Sequence, residues 1–249
     1  MHRYFVLLYS TFGYLFAFGT LLFLILWVYP WSFFPYNIDK SIIKLDLNPY
    51  IVDILLIVIF GLQHSIMARG FFKERVLGRF SNAIKAATYS IASSLALVLI
   101  YLFWQPIDEY IWKFDSGIWF WVFSALYFFG WIVAFLATFV IDHFELFGLH
   151  QGWREFKGLS EPKQEFVVKY FYKFVRHPIQ AGTMVGLIAT PQMSIGHLLF
   201  SLGFSLYIVI GLYFEEKSLK QEFGKDYEEY IKNTPMLIPI KFNQSINLF

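Results

Sequence analysis

The chain has 249 residues, of which 57% are apolar and only 15% are charged, and its mean hydropathy is +0.53. A soluble domain carries about 25% charged residues, so this composition excludes a soluble globular enzyme, a disordered chain and a nucleic-acid-binding arm, and indicates a polytopic membrane protein. The net charge of +2 points to no bulk electrostatic partner, and the absence of cysteine excludes disulfides, thiolate metal sites and a cysteine nucleophile.

The first part of the chain contains four apolar runs, each near the roughly 20 residues that a helix needs to cross a bilayer. They are 5–29, 50–68, 84–104 and 118–141.

Two further apolar runs, 178–193 and 195–214, follow a polar stretch. Pro and Ser residues between them favour a turn, so they predict a helical hairpin. The sequence therefore predicts an all-α, polytopic transmembrane helical bundle of about five to six spans. We expect a single domain, 1–249, in which 1–141 supplies four spans and 142–249 supplies a cytoplasmic linker, the hairpin and a tail.

The distribution of basic residues orients this bundle, because cytoplasmic loops carry an excess of Lys and Arg. With the N-terminus inside, only Lys40, Lys44 and Lys113 of the 20 Lys and Arg residues fall on the outer side. We therefore expect both termini in the cytoplasm of a bacterium, with the protein in the inner membrane.

Titratable and amide side chains gather at the cytoplasmic ends of four predicted spans. They are Gln63, His64, Asp142, His143, Arg176, His177, Glu215 and Glu216. Ionisable groups near a bilayer are costly, so such a grouping raises a functional hypothesis. If the helices bundle, these groups share a cytoplasm-facing pocket.

Simpler interpretations stay open for these residues. His64 is also typical of an interfacial histidine bonded to a carbonyl, and Asp142 with His143 of a helix leaving the bilayer. Residues 142–153 also suit an in-plane amphipathic helix without chemistry. Four histidines, namely His64, His143, His150 and His177, are candidate metal ligands, but no compact ligand motif is present and we expect no metal.

The most specific pattern lies in the last third of the chain. It consists of YKFVRHPIQAG at 172–182, EEKSL at 215–219 and EFGKDYEEY at 222–230. Their order and spacing resemble the integral-membrane methyltransferases of the isoprenylcysteine carboxyl methyltransferase group, whose signature is Arg-His-Pro, a Gly four residues later, a hairpin, Glu-Glu, and then Phe-Gly and two tyrosines.

This resemblance implies a cytoplasmic pocket for S-adenosylmethionine. Carried over by position, the expected cofactor contacts are Tyr172, His177, Pro178, Glu215 and Glu216, with Tyr227 closing the pocket and Phe166 and Val167 as further candidates.

Three more segments resemble the methanethiol S-methyltransferases, a bacterial branch also related to NnrU-type proteins. They read FGLQHSIMAR at 60–69, IDHFELFGL at 141–149 and ATPQMSIGH at 189–197. The resemblance then covers nearly all of the chain after residue 50. It implies methyl transfer to methanethiol, a small volatile thiol, giving dimethyl sulfide.

The chain departs from the wider group at two positions. Gln180 stands where Tyr is frequent, and Gly211 stands where prenylcysteine enzymes carry an Arg thought to hold the substrate carboxylate. A site without that Arg suits a small neutral thiol better than a carboxylate.

Methylation of sulfur requires a thiolate, and a small alkyl thiol is mostly protonated at neutral pH. His143 is therefore the predicted base, with His64 as the other candidate, and Arg176 is expected to pair with the cofactor carboxylate or with the glutamates. Other interpretations are methylation of a prenylcysteine carboxylate or lipid amine, and a non-catalytic protein that binds haem or quinone. The expected partners are the thiol and the lipid bilayer, with no nucleic acid and no protein partner inferred.

Overall fold

The computed structural model describes residues 2–162 and 166–240, so the ends of the predicted domain, 1 and 241–249, lie outside the described residues. Ten helices follow in chain order: α1 His2–Val28, α2 Pro49–Ala68, α3 Gly70–Arg75, α4 Asn82–Phe103, α5 Gly117–Val140, α6 His143–Leu146, α7 Leu149–Lys157, α8 Pro178–Ile188, α9 Ile195–Phe223 and α10 Lys225–Asn233. Two short strands, β1 Tyr110–Lys113 and β2 Gln192–Ser194, and a 3-10 turn, Tyr170–Lys173, complete the described part.

Five helices are long and apolar enough to cross a membrane, namely α1, α2, α4, α5 and α9. Large apolar side chains stand exposed along them, among them Leu8, Trp121 and Leu206, as expected where lipid is the outer solvent. The all-α polytopic bundle is therefore confirmed, and the protein is an integral membrane protein.

The sequence places the helix starts through side-chain caps. Asn48 accepts a hydrogen bond from the Ile51 N–H and is followed by Pro49, which has no N–H to lose at this position. Ser81 caps α4 and Ser194 caps α9 in the same way. These caps fix where α2, α4 and α9 begin.

The predicted hairpin is present, but its first arm is short. Helix α8 has 11 residues and then gives way to β2, which pairs antiparallel with β1 from the loop between α4 and α5. A second loop joins them, because the Ser194 hydroxyl donates a hydrogen bond to Asp39. We call this end of the bundle, where three loops meet, the strand end, and the opposite end, which carries α3, α6, α7 and α10, the tail end.

Glycine lets α8 lie directly against the backbone of α5. A Cβ atom on Gly182 would stand 2.5 Å from the Gly130 carbonyl oxygen, and one on Gly186 would stand 2.7 Å from the Trp131 ring. No side chain fits at Gly182 without displacing backbone, so the Gly four residues after Pro178 serves helix packing.

The core lies toward the strand end and is aromatic. Trp27 packs edge-on against Trp104 and Phe200, whose ring centroids lie 6.0 and 5.4 Å away, and Tyr101 lies alongside. This cluster ties α1, α4 and α9 together.

Candidate active site

The tail end contains a buried ionic cluster around Arg176, which precedes α8. The Arg176 Nε atom donates to Glu216 Oε1 at 2.7 Å, and its Nη1 atom donates to the Thr234 carbonyl. His177 Nε2 lies 3.1 Å from the same glutamate oxygen. The exposed fractions of the Arg176 and Glu216 side chains are only 8% and 12%. We call Arg176, His177, Glu216 and Thr234 the Arg176 cluster.

Backbone hydrogen bonds join the same elements. The Arg176 N–H donates to the Pro235 carbonyl at 2.9 Å, and the His177 N–H donates to the Met236 carbonyl at 3.1 Å. The segment after α10 is thus held beside the start of α8. Arg176 and Glu216 are both engaged in holding the tail against α9.

Aromatic residues extend this tail packing. Phe166 packs at an angle against Phe223 and edge-on against Tyr230, with centroid separations of 5.3 and 5.5 Å, and the Tyr230 hydroxyl donates to the Tyr172 carbonyl. Tyr227 is buried, and its hydroxyl has no hydrogen-bond partner among the described residues. Val167 is exposed. Burial raises the pKa of Tyr230 to about 12, so its hydroxyl stays a donor at neutral pH.

An open cleft of about 550 Å³ lies beside the Arg176 cluster, a volume within the range of small-molecule sites. Its walls come from α2, α4, α8 and α9. The lining residues with polar or charged side chains are His64, Ser65, Arg69, Tyr89, Gln180, Tyr207, Glu215 and Ser218.

The two adjacent glutamates have different surroundings. Glu216 is buried in the Arg176 cluster, whereas the Glu215 side chain is 47% exposed and lines the cleft. His177 stands between them, with Nδ1 3.8 Å from Glu215 Oε1 and Nε2 facing Glu216. Burial, and then the negative charge of Glu215, raise the pKa of Tyr172, whose side chain is not among those that line the cleft.

His64 lines the cleft from α2 and is held at both ring nitrogens. Nδ1 is 3.0 Å from the Ser93 hydroxyl oxygen and Nε2 is 2.5 Å from the Tyr89 hydroxyl oxygen, while the Phe60 ring stacks on the imidazole. The structure thus brings predicted residues His64 and Glu215 to one cavity, although they are far apart in sequence.

A cation also lines this cleft. The Arg69 guanidinium lies 4.2 Å from the centroid of the Phe214 ring and forms no ion pair with any residue in the described part of the chain. The cavity therefore offers both a carboxylate and a guanidinium.

The structure places His143 in a different environment. It is only 3% exposed, its ring stacks on Phe139, and its nitrogens face the Tyr14 and Thr138 hydroxyls at 3.2 and 2.8 Å. Burial lowers its pKa. None of these neighbours lines the cleft, so the structure does not bring His143 together with His64 or Glu215.

One group of candidate metal ligands occurs in the described residues: Asp142, Glu145 and His150. Arg154 donates to both Glu145 oxygens at 2.6 and 2.7 Å, and His150 Nδ1 donates to Asp142 at 2.7 Å. Asp142 also caps α6 through two backbone N–H groups. These partners brace α6 against α7, and the four histidines considered from the sequence do not form a metal group within the described part.

Sequence reasoning missed Arg69, Tyr89 and Tyr207 as cleft residues. Arg69 ends the 60–69 segment that resembles the family, but the resemblance gave it no role in the site, and nothing near Tyr89 in the sequence signals its contact with His64. Gln180 and Gly211, the two departures from the wider group, both line the cleft.

Comparison with known proteins gives a consistent set of relatives. The chain is 40% identical to Methanethiol S-methyltransferase 2 of Bradyrhizobium diazoefficiens over 84% of this chain and 77% of that protein. It is 34% identical to the Methanethiol S-methyltransferase of Mycobacterium tuberculosis over 96% and 98% of the two chains. Nurim of Xenopus laevis is 30% identical over 63% of this chain and 58% of that protein.

No family model matches the chain, and no solved structure resembles it significantly.

Proposed function

Because this chain belongs to the methanethiol S-methyltransferase family, we propose that it is an enzyme that transfers a methyl group from S-adenosylmethionine to methanethiol, giving dimethyl sulfide. The observation that carries the proposal is a single cleft lined by Glu215, His64 and Arg69.

The cleft residues fit the charges of this cofactor. When bound, S-adenosylmethionine supplies an electrophilic methyl group on a sulfonium cation. Glu215 and the Tyr172 ring would hold that cation, because a carboxylate and an aromatic face both attract positive charge. His177 and Pro178 are buried and do not line the cleft, so they would support Glu215 and not contact the cofactor. Arg69 would pair with the cofactor carboxylate.

The remaining residues carried over from the resemblance would support the pocket without contacting the cofactor. Glu216 and Tyr227 would close the pocket by fixing the tail, with Phe166 and Val167 on its outer side. Arg176 would hold Glu216, which leaves Glu215 to the cofactor.

We favour His64 as the base because it lines the cleft. Its ring is neutral when one nitrogen donates and the other accepts, and a neutral imidazole can take up a proton. His143 remains a proposed base only by sequence, because its ring is enclosed by other residues. Gly211 leaves open space where a Cβ atom would meet no atom within 4 Å, which suits a small acceptor without a carboxylate.

We further propose that the tail end faces the cytoplasm of a bacterial inner membrane, with both termini inside. The support is the basic-residue distribution, since Lys40, Lys44 and Lys113 alone belong to the strand-end loops.

A headspace assay tests the function. Purified protein in detergent receives S-adenosylmethionine and methanethiol, and gas chromatography detects dimethyl sulfide. Glu215→Gln should lower cofactor affinity about tenfold or more while thermal stability is kept. Glu222→Gln, an exposed glutamate on the same helix, is the matched control and should behave as wild type.

Two results would contradict this proposal. Cofactor binding without dimethyl sulfide would exclude methanethiol and direct the search to prenylcysteine carboxylates or lipid amines. Unchanged cofactor affinity in Glu215→Gln would exclude the cleft as the cofactor site.

A further inference from the structure

The cleft contains a hydrogen-bonded pair that joins two helices, Tyr89 on α4 and His64 on α2. The phenol oxygen lies 2.5 Å from Nε2, which is within the range of a strong hydrogen bond. Both side chains line the cavity. The contact spans 25 positions of sequence and is a tertiary feature.

Ser93 allows a tautomer of His64 in which Tyr89 is the donor. Its hydroxyl lies 3.0 Å from Nδ1 of His64, one turn along α4 from Tyr89. When Nδ1–H donates to Ser93, the neutral ring has its lone pair at Nε2, and the Tyr89 hydroxyl must donate there. The phenol oxygen then keeps lone pairs that can accept a proton from a molecule in the cleft.

Two cations, Lys73 and Arg69, lie near the pair and favour a negative charge that develops there. The Lys73 ammonium lies 5.9 Å from the centroid of the Tyr89 ring, and Arg69 lines the same cavity. Tyr207, from α9, stands edge-on to His64 at 6.0 Å and its hydroxyl faces Ser65. Glu215 is the anionic group of this cavity.

We propose that Tyr89 contacts the acceptor thiol and that the pair carries its proton away, an inference that rests on the proposed function. The S–H bond breaks as an O–H bond forms on Tyr89. The original Tyr89 proton passes to Nε2 of His64, which becomes an imidazolium. The thiolate electron pair then forms the new S–CH₃ bond as the sulfonium–methyl bond breaks, and His64 releases its proton to water after the products leave.

The test compares two acceptors in Tyr89→Phe. Methanethiol is mostly protonated in the assay, whereas 2,2,2-trifluoroethanethiol is mostly thiolate at about pH 8.5 and needs no base. We expect kcat for methanethiol to fall about 100-fold, the usual scale of acid–base assistance, and kcat for the ionised thiol to change less than about threefold. Cofactor affinity, measured by calorimetry, should be unchanged.

Two further variants provide a matched control and an independent test of the pair. Tyr9→Phe is the matched control, because the Tyr9 hydroxyl also bonds to α4, at Thr88, without lining the cleft. It should keep both activities. Ser93→Ala frees the imidazole and should slow methanethiol more than the ionised thiol, so it tests the pair without altering Tyr89.

The outcomes separate this inference from the function itself. Equal losses with both thiols in Tyr89→Phe and Ser93→Ala would make Tyr89 a structural residue and overturn the inference. Wild-type turnover of methanethiol by Tyr89→Phe would also overturn it, while leaving the function intact. Wild-type protein that methylates neither thiol would overturn both.

Discussion

The Arg176 cluster makes a quantitative prediction, because the structure contains a second arginine–glutamate pair with different burial. Arg176→Gln removes the guanidinium that pairs with Glu216 in a site where the two side chains are 8% and 12% exposed, and it leaves that carboxylate with His177 alone, at 3.1 Å. Leaving one charge buried without its partner costs about 3–5 kcal/mol. Arg154 and Glu145 also form two short bonds, but their exposed fractions are 14% and 35%, so Arg154→Gln should cost about 1 kcal/mol or less.

Thermal unfolding in detergent, followed by tryptophan fluorescence, measures this difference. For a protein of about 150–250 residues, 1 kcal/mol corresponds to about 2–4 °C in Tm, so Arg176→Gln should lower Tm by about 6–20 °C. Arg154→Gln should lower it by only about 4 °C or less. The double variant Arg176→Gln with Glu216→Gln removes the uncompensated charge and should regain part of the loss.

Equal Tm values for Arg176→Gln and Arg154→Gln would refute this reasoning. It would mean that water reaches Glu216 and that the tail does not seal the cluster. A double variant no more stable than Arg176→Gln would show that the lost hydrogen bonds to the tail carbonyls, and not the charge of Glu216, account for the cost.

Three other predictions follow from residues described above. Glu216→Gln should lower Tm more than Glu215→Gln, whereas Glu215→Gln should weaken cofactor binding more, as calorimetry would show; the reverse order would contradict the division of roles. Gly182→Ala should lower the free energy of unfolding by about 1–3 kcal/mol, because its new Cβ would meet the α5 backbone at 2.5 Å. Gly19→Ala, whose Cβ would have no atom within 4 Å, should be tolerated. Equal Tm values for the two variants would exclude the close packing of α8 on α5. Burial lowers the pKa of His143, so the unfolded chain binds a proton that the folded chain does not. Stability should therefore fall as pH drops below about 6.5. Tm of the His143→Phe variant should depend less on pH, and an unchanged pH dependence would show that another group causes it.

The membrane-spanning helices were predictable because their signal is local. Each of the four N-terminal runs coincides with a helix to within a few residues, since length and apolar composition alone decide whether a segment suits a bilayer. The hairpin was predictable in outline through its Pro and Ser residues. The pairing of its turn with β1 was not, because 110–113 carries no strong strand pattern and joins β2 only in the assembled bundle.

The candidate site was predictable only where a motif carries it. The adjacent Glu215 and Glu216 could be named from the Glu-Glu motif, but nothing in the sequence tells which of them faces the cleft. That depends on the face of α9 that the tail covers. The sequence favoured His143 over His64 as the base, although both are histidines at span ends, and only the packing of aromatic rings around His143 separates it from the cleft.

The short helix α8 has a consequence for how the protein is made. At about 1.5 Å per residue its 11 residues cover about 16 Å, roughly half of the hydrocarbon thickness. The remainder of the crossing is non-helical chain, which lipid cannot accommodate unless protein satisfies its polar groups. Here β1 and its flanking residue do so, because β1 pairs with β2, and Trp112 and Phe114 donate to the Thr190 and Pro191 carbonyls. The insertion machinery would therefore find no complete span in α8 alone, and this segment can enter the bilayer only together with α9 and onto a bundle in which α5 is already in place.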